Sequence, residues 1–291
     1  MSPKDNGPNK EASASREEGH SDRGDAGRTD ADSRKGESKS GSGAERGGLV
    51  ETVRTIVYAI LIALMIRTFA YEPFNIPSGS MIPTLLVGDY LFVSKFAYGY
   101  SRHSFPLSFP PFDGRVLGNM PEPGDVAVFK LPRDGRTDYI KRIIALPGDT
   151  VQVRGGSLYL NGTRVPRERL ADYGYRDRFG HAINTRRYRE TLPNGVSYDV
   201  LEISDEGALD DTGIYVVPPG HVFAMGDNRD RSLDSRVPGD NGAGGVGFIP
   251  FESLVGRAET IFFSTDGSAS WWAPWSWPGA IRYDRLIKTI E

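Results

Sequence analysis

From Met1 to Gly48 the chain is a mixture of Ser, Gly, Asp, Glu, Lys and Arg with almost nothing apolar to bury. Such a stretch cannot offset the entropy of ordering it, so 1–48 is expected to be a disordered tail. The pattern then inverts. Thr55–Ile66 is an unbroken apolar run between Arg54 and Arg67. Alone it is shorter than the roughly 20 residues of a membrane-spanning helix and would suit a buried helix or a signal-like segment. Val50, Val53, Phe69 and Tyr71 lengthen it, and Arg54 and Arg67 can snorkel at its ends, so 49–71 reads as a single anchor. Lys35, Lys39, Arg46 and Arg54 favour a cytoplasmic N-terminal side, an argument that Arg67 weakens.

Beyond the anchor the apolar residues fall into short β-type runs. Asp89–Ala97, Val126–Phe129, Ile140–Leu146, Val222–Met225 and Phe251–Phe263 are rich in β-branched and aromatic side chains and are separated by Gly/Pro turns. Val151–Gly162 alternates around Gly155-Gly156 and Asn161-Gly162, both hairpin signals. Few helical periods appear after the anchor. The expected class is mainly β, an antiparallel coiled or barrel-like sheet behind one transmembrane helix.

Three stretches carry candidate chemistry. In Ile76-Pro-Ser-Gly-Ser-Met-Ile-Pro83 the prolines bias Ile76 and Ile82 toward extended backbone, and Gly79 permits a conformation closed to other residues. This is either an ordinary turn or a rigid display of a nucleophilic serine. A base is then needed. His20, His103, His181 and His221 lie in no distinctive motif, and the G-x-S-x-G elbow is absent because Ile82 follows Ser80 by two places. Lys141, within a strand-like run beside Tyr139, Ile140, Ile143 and Ile144, is the remaining candidate. Desolvation there would leave a neutral amine, whereas snorkelling or ion pairing would leave an ordinary lysine. The third stretch, Gly226-Asp-Asn-Arg-Asp-Arg-Ser-Leu-Asp-Ser-Arg236, lacks the glycine and terminal glutamate of a calcium loop and places arginines where oxygen ligands belong. It suits a hydrogen-bonded loop or a solvated turn, and no metal is expected.

In chain order, P-S-G-S-M-x-P-T-L, G-D-Y-L-F-V-S-K-F-A-Y-G, Y-I-K-R with its L-P-G-D, and G-D-N-R-D-x-S-x-D-S-R resemble bacterial type I signal peptidase, a membrane-anchored serine protease family with a Ser/Lys dyad. The resemblance runs from about Val53 to Ser264. It implies Ser80 as nucleophile, Lys141 as general base, and Ser78 Oγ with the Ser80 N–H as oxyanion donors. It further implies Ser232 as the hydroxyl holding the amine and Asp234 as the supporting carboxylate. Asp227, Arg142 and Arg236 become a surrounding polar network, and Met81 packs beside the dyad. Substrates would be preproteins emerging from the export machinery, cut after Ala-x-Ala. The expected location is the bacterial inner membrane, with the N-terminus cytoplasmic and the catalytic part outside. The catalytic β core is expected over 72–153 and 220–291, with a variable insertion over 154–219 whose Arg176–Arg189 charges read as a solvated face. No cofactor is implied.

Composition changes little of this. A net charge of −3 over 291 residues gives no reason to expect a nucleic-acid partner. The absence of cysteine excludes disulfides and thiolate metal sites. A self-cleaving repressor shares the dyad, but would carry a DNA-binding domain in place of the apolar segment. An anchored binding protein on the same scaffold would have no need of Ser80, Lys141 and Ser232. Two features stand apart from the resemblance. The Gly-rich insert 237–246 is expected to be mobile. Trp271, Trp272, Trp275 and Trp277 gather every tryptophan into one stretch suited either to lipid contact or to packing on the β core.

Overall fold

The structure, a computed structural model, describes residues 42–105, 112–177, 180–239, 244–270 and 272–290. The chain divides into two units, Met1–Thr52 and Val53–Glu291. The described part of the first is the start of α1 (Ser42–Phe69). This helix begins within the segment expected to be tail. Apolar content marked the sequence boundary, but helix propagates one hydrogen bond per residue once nucleated, and Ala44, Glu45 and Arg46 are good formers. Val50–Phe69 supplies 20 residues long and apolar enough to cross a membrane, with none of that window buried against protein. Tyr71, read as the end of the anchor, instead opens the first strand.

The strands are β1 (Tyr71–Asn75), β2 (Asp89–Ser94), β3 (Val126–Lys130), β4 (Asp138–Ala145), β5 (Thr150–Arg154), β6 (Ser157–Leu160), β7 (Thr163–Arg164) and β8 (Arg167–Arg169). They continue with β9 (Tyr173–Arg176), β10 (Ala182–Thr191), β11 (Ser197–Glu202), β12 (Tyr215–Val216), β13 (His221–Met225), β14 (Ile249–Pro250), β15 (Leu254–Ser264) and β16 (Lys288–Thr289). The main sheet is antiparallel and runs β1-β2-β15-β3-β4-β13-β14, with β16 also on β15. Pro73 sits on β1, an edge where a missing ladder donor costs nothing.

In β3 successive side chains alternate between two cores. Val126 and Val128 pack with Met81, Leu91 and Val255, whereas Ala127 and Phe129 pack with Ile143, Val222 and Leu254. Burial on both faces is why its sequence reads as a continuous apolar run.

The segment expected as an insertion contributes two smaller sheets, β12-β5-β6-β7 and β11-β10-β8 with β9 on β10. Both expected tight turns are present, with positive φ at Gly155, Gly156, Asn161 and Gly162. By pairing, this segment begins at Thr150, since among the described residues β5 bonds to β6 and β12 and to no strand of the main sheet. It also shares a core with that sheet: Val151, Val153, Leu158 and Val200 pack with Ile144, Ala145, Phe223 and Met225.

Candidate active site

After β1 the chain turns tightly. Leu85 N–H donates to Met81 O at 2.9 Å, and the Met81 side chain is fully buried in the core of β2, β3 and β15. That burial, rather than a special glycine conformation, fixes the turn. Gly79 does not adopt positive φ; what it supplies is space, because a Cβ there would lie 3.0 Å from Ile82 Cδ1. The carbonyls of Gly79 and Ser80 are held from across the fold: Asn228 N–H donates to Ser80 O at 3.0 Å and Asn228 Nδ2 to Gly79 O at 2.9 Å.

On β4, Lys141 Nζ lies 2.7 Å from Ser80 Oγ and 3.0 Å from the Ile140 carbonyl oxygen. The lysine is 3% exposed. Burial lowers its pKa from 10.5 to about 8, against the opposing pull of the Asp234 and Asp227 charges. An amine in this state supplies its free-base form near neutral pH, as a general base must. Its partner is the serine, and snorkelling to solvent is excluded by its burial.

Neighbouring Arg142 is fully buried and grips Asp227 through Nε (2.9 Å) and Nη2 (2.9 Å), while Nη1 donates to Gly124 O at 2.7 Å. Thr84 Oγ1, one turn after Ser80, donates to the same Asp227 carboxylate at 2.5 Å. The acidic loop therefore fastens to both β4 and the serine turn. Asp234 accepts from Gly226 N–H (3.0 Å) and from Arg236 Nε and Nη2 (2.9 Å each). Burial raises the Asp234 pKa, but Arg236 and the N–H donors outweigh it and hold the carboxyl below its ordinary value. Gly226 has no alternative: a Cβ would lie 2.3 Å from Ser232 Oγ and 2.6 Å from Ser80 O.

The positions named from sequence thus converge on one site, with two differences in detail. Ser232 Oγ is buried but makes no hydrogen bond, to the Lys141 amine or to any other described group. The amine is already engaged by Ser80 Oγ and the Ile140 carbonyl, and Ser232 packs against Gly226 instead. Ser78 is exposed, and among the described residues neither its hydroxyl nor the Ser80 N–H is engaged. Sequence reasoning missed Asn228, Thr84 and a buried Glu190–Arg229 pair, in which Arg229 Nη1 donates to Glu190 Oε1 at 2.9 Å. Arg229 O in turn accepts from Arg236 Nη2 at 2.6 Å, tying β10 of the insertion to the loop. Of the Gly-rich insert, residues 240–243 lie outside the described residues; next to them Val246 is buried and Gly247 N–H donates to Val237 O at 2.9 Å.

Residues 49–263 match the family described as signal peptidase, peptidase S26. The chain belongs to that family. Its members are serine proteases that process signal peptides, which makes this chain a hydrolase of that kind. The signal peptidase I of Rickettsia typhi is 41% identical over 228 residues, covering 75% of this chain and 81% of the relative. That of Rickettsia akari is 40% identical over 225 residues, covering 74% and 79%. A crystal structure of a signal peptidase I from Enterococcus faecalis V583 is 26% identical and covers 48% of this chain and 97% of that one, with a TM-score of 0.27. The family match ends before the Trp-rich stretch, so that stretch draws no support from it.

Proposed function

We propose that this enzyme cleaves signal peptides from exported preproteins by acyl transfer, with Ser80 as nucleophile and Lys141 as general base. The observation that carries the reading is the 2.7 Å approach of a buried amine, its pKa lowered to about 8, to Ser80 Oγ. Lys141 takes the Ser80 proton as Oγ attacks the scissile carbonyl, and the unengaged Ser80 N–H and Ser78 hydroxyl receive the oxyanion. The proton passes to the leaving amine of the mature protein. Water activated by the same lysine then releases the signal peptide from Ser80. Asp234, Asp227, Arg142 and Arg236 hold the two reactive side chains in place, and Ser232 offers the amine a further partner as its proton moves.

The outer edge of β1 and the Asp138–Ile140 end of β4, where no second strand pairs among the described residues, leave backbone groups open to an extended substrate. A strand added there would present alternate side chains to shallow pockets, in keeping with an Ala-x-Ala preference. The anchor would place the N-terminus in the cytoplasm and the site on the outer face of the inner membrane, where cleavage sites emerge. Incubating detergent-solubilised enzyme and its Ser80→Ala variant with an Ala-x-Ala preprotein tests this. Mass spectrometry should find one cut, after the second alanine, made by the parent alone; a cut made equally by the Ser80→Ala variant would refute the mechanism.

Lipid is proposed as a second partner, through the Trp-rich stretch. Trp271 lies outside the described residues, but Trp272 and Trp275 are 91% and 81% exposed and so are not packed on the β core. Because all 4 tryptophans lie here, tryptophan emission excited selectively over the tyrosines reports this segment alone. In liposomes containing brominated lipid the emission should be quenched; undiminished emission would remove lipid contact from the account.

A further inference from the structure

At the end of α1 that leads into β1, a cavity of about 1050 Å³ lies between Leu64, Arg67 and Thr68 of the helix and the loops carrying Arg102 and Arg136. Its carboxylates, Glu72, Asp134 and Asp138, already have partners. Lys95 Nζ lies 2.9 Å from Glu72 and donates to Ser104 O at 2.6 Å, and Lys130 Nζ lies 2.7 Å from Asp138. Asp134 accepts from Thr137 Oγ1 at 2.6 Å and from the Arg136 and Thr137 N–H groups.

The surplus is positive. Among the described residues Arg102 and Arg136 pair with no carboxylate, and Arg67 reaches Glu72 only at 3.8 Å. The local field registers at His103, whose pKa is lowered first by burial and then by the Arg102 and Lys130 charges. The rest of the lining is apolar, with Leu64, Phe74, Phe105 and Val255.

An anionic oxygen ligand with an apolar tail satisfies both kinds of wall. Planar guanidinium forks match phosphate oxygens, and the last turn of a membrane-crossing helix is where headgroups begin. We propose that this cavity binds the phosphate headgroup of an anionic phospholipid, with Arg67, Arg102 and Arg136 on the phosphate and Leu64 and Phe105 against the acyl chains. The proposal rests on α1 being the anchor and is independent of the Ser80–Lys141 chemistry. A headgroup seated there would hold the β1 side of the cleft, through Glu72 and Phe74, at a fixed height above the lipid.

The test is native mass spectrometry of the full chain in detergent, titrated with phosphatidylglycerol or phosphatidylcholine, with glycerol phosphate as a soluble competitor. The parent should retain phosphatidylglycerol in preference to phosphatidylcholine. The Arg102→Gln/Arg136→Gln double variant, its fold checked by circular dichroism, should bind phosphatidylglycerol about thirtyfold more weakly, roughly fivefold for each cation near a membrane surface. An Arg154→Gln/Arg176→Gln control, altered at exposed insertion positions, should bind as the parent does. Equal retention by the double variant and the parent would overturn the site. Displacement of the lipid by glycerol phosphate at matched concentration would overturn the lipid as its occupant in favour of a soluble anion.

Discussion

Lys141→Arg will abolish preprotein cleavage, lowering kcat/KM by about 10⁴-fold or more, the upper range for losing a general base. Arginine keeps the charge but cannot give up its proton near neutral pH, so Ser80 would face a permanent cation in place of a base. The pocket around Nζ is small: the amine sits between Ser80 Oγ and the Ile140 carbonyl, and the residue is 3% exposed. A longer, forked side chain could therefore fail by displacing its neighbours. Lys141→Met separates the two causes, since it is similar in size, uncharged and unable to accept the proton. Both variants should be inactive with parent-like circular dichroism. A folded Arg or Met variant within tenfold of the parent would end the assignment of Lys141 as base.

The same lysine should cost the fold stability. Its pKa is about 8 in the folded protein against 10.5 for the ordinary side chain, so burial favours the neutral form. Below pH 8 lysine carries its proton in both states, and the folded state bears the full penalty of a buried cation. Between about 8 and 10.5 the unfolded chain binds the proton and the folded chain does not, so stability rises with pH. Above that range both forms are neutral and the penalty is gone. At pH 7 Lys141→Met should therefore raise the unfolding free energy by up to about 3 kcal/mol, less the lost contacts with Ser80 and Ile140, and the gain should vanish above pH 10.5. Parent activity should climb about tenfold per pH unit below 8 and level off above it, because only the neutral amine is the base. Denaturant titrations and kcat/KM profiles over the same pH range check both. A Met variant less stable than the parent at pH 7, or activity independent of pH through 8, would contradict the buried-amine account.

What was legible in the sequence was local. Gly155-Gly156 and Asn161-Gly162 encode their turns within a few residues, and the apolar run of α1 marks a helix long enough to cross a membrane once its flanking residues are added. The Ser80 and Lys141 motifs are equally compact, so resemblance to a family could place both. Other features depend on partners remote in sequence. Thr84 and Asp227 are 143 residues apart, and Glu190 and Arg229 are 39 apart; neither member of either pair has a neighbour in sequence that announces the other. The conformational freedom that Gly79 permits goes unused for the same reason, since its constraint is Ile82 Cδ1 in space rather than its own φ. The boundary at Arg154 comes from the family resemblance, whereas β5 finds its strand partners through Val151 and Val153, which face a core built largely from residues 150–217.

That shared core joins segments made at different times. Ser80 and Lys141 leave the ribosome before β13 and the acidic loop, and before Phe223 and Met225 can close on Ile144 and Ala145. Lys141 sits on β4, whose sheet is completed by β13 beside it and by β15 between β2 and β3, both of them made later. On the proposed mechanism a nascent chain would carry Ser80 without its base, and proteolytic competence would arrive only when the later strands, β15 among them, close the main sheet.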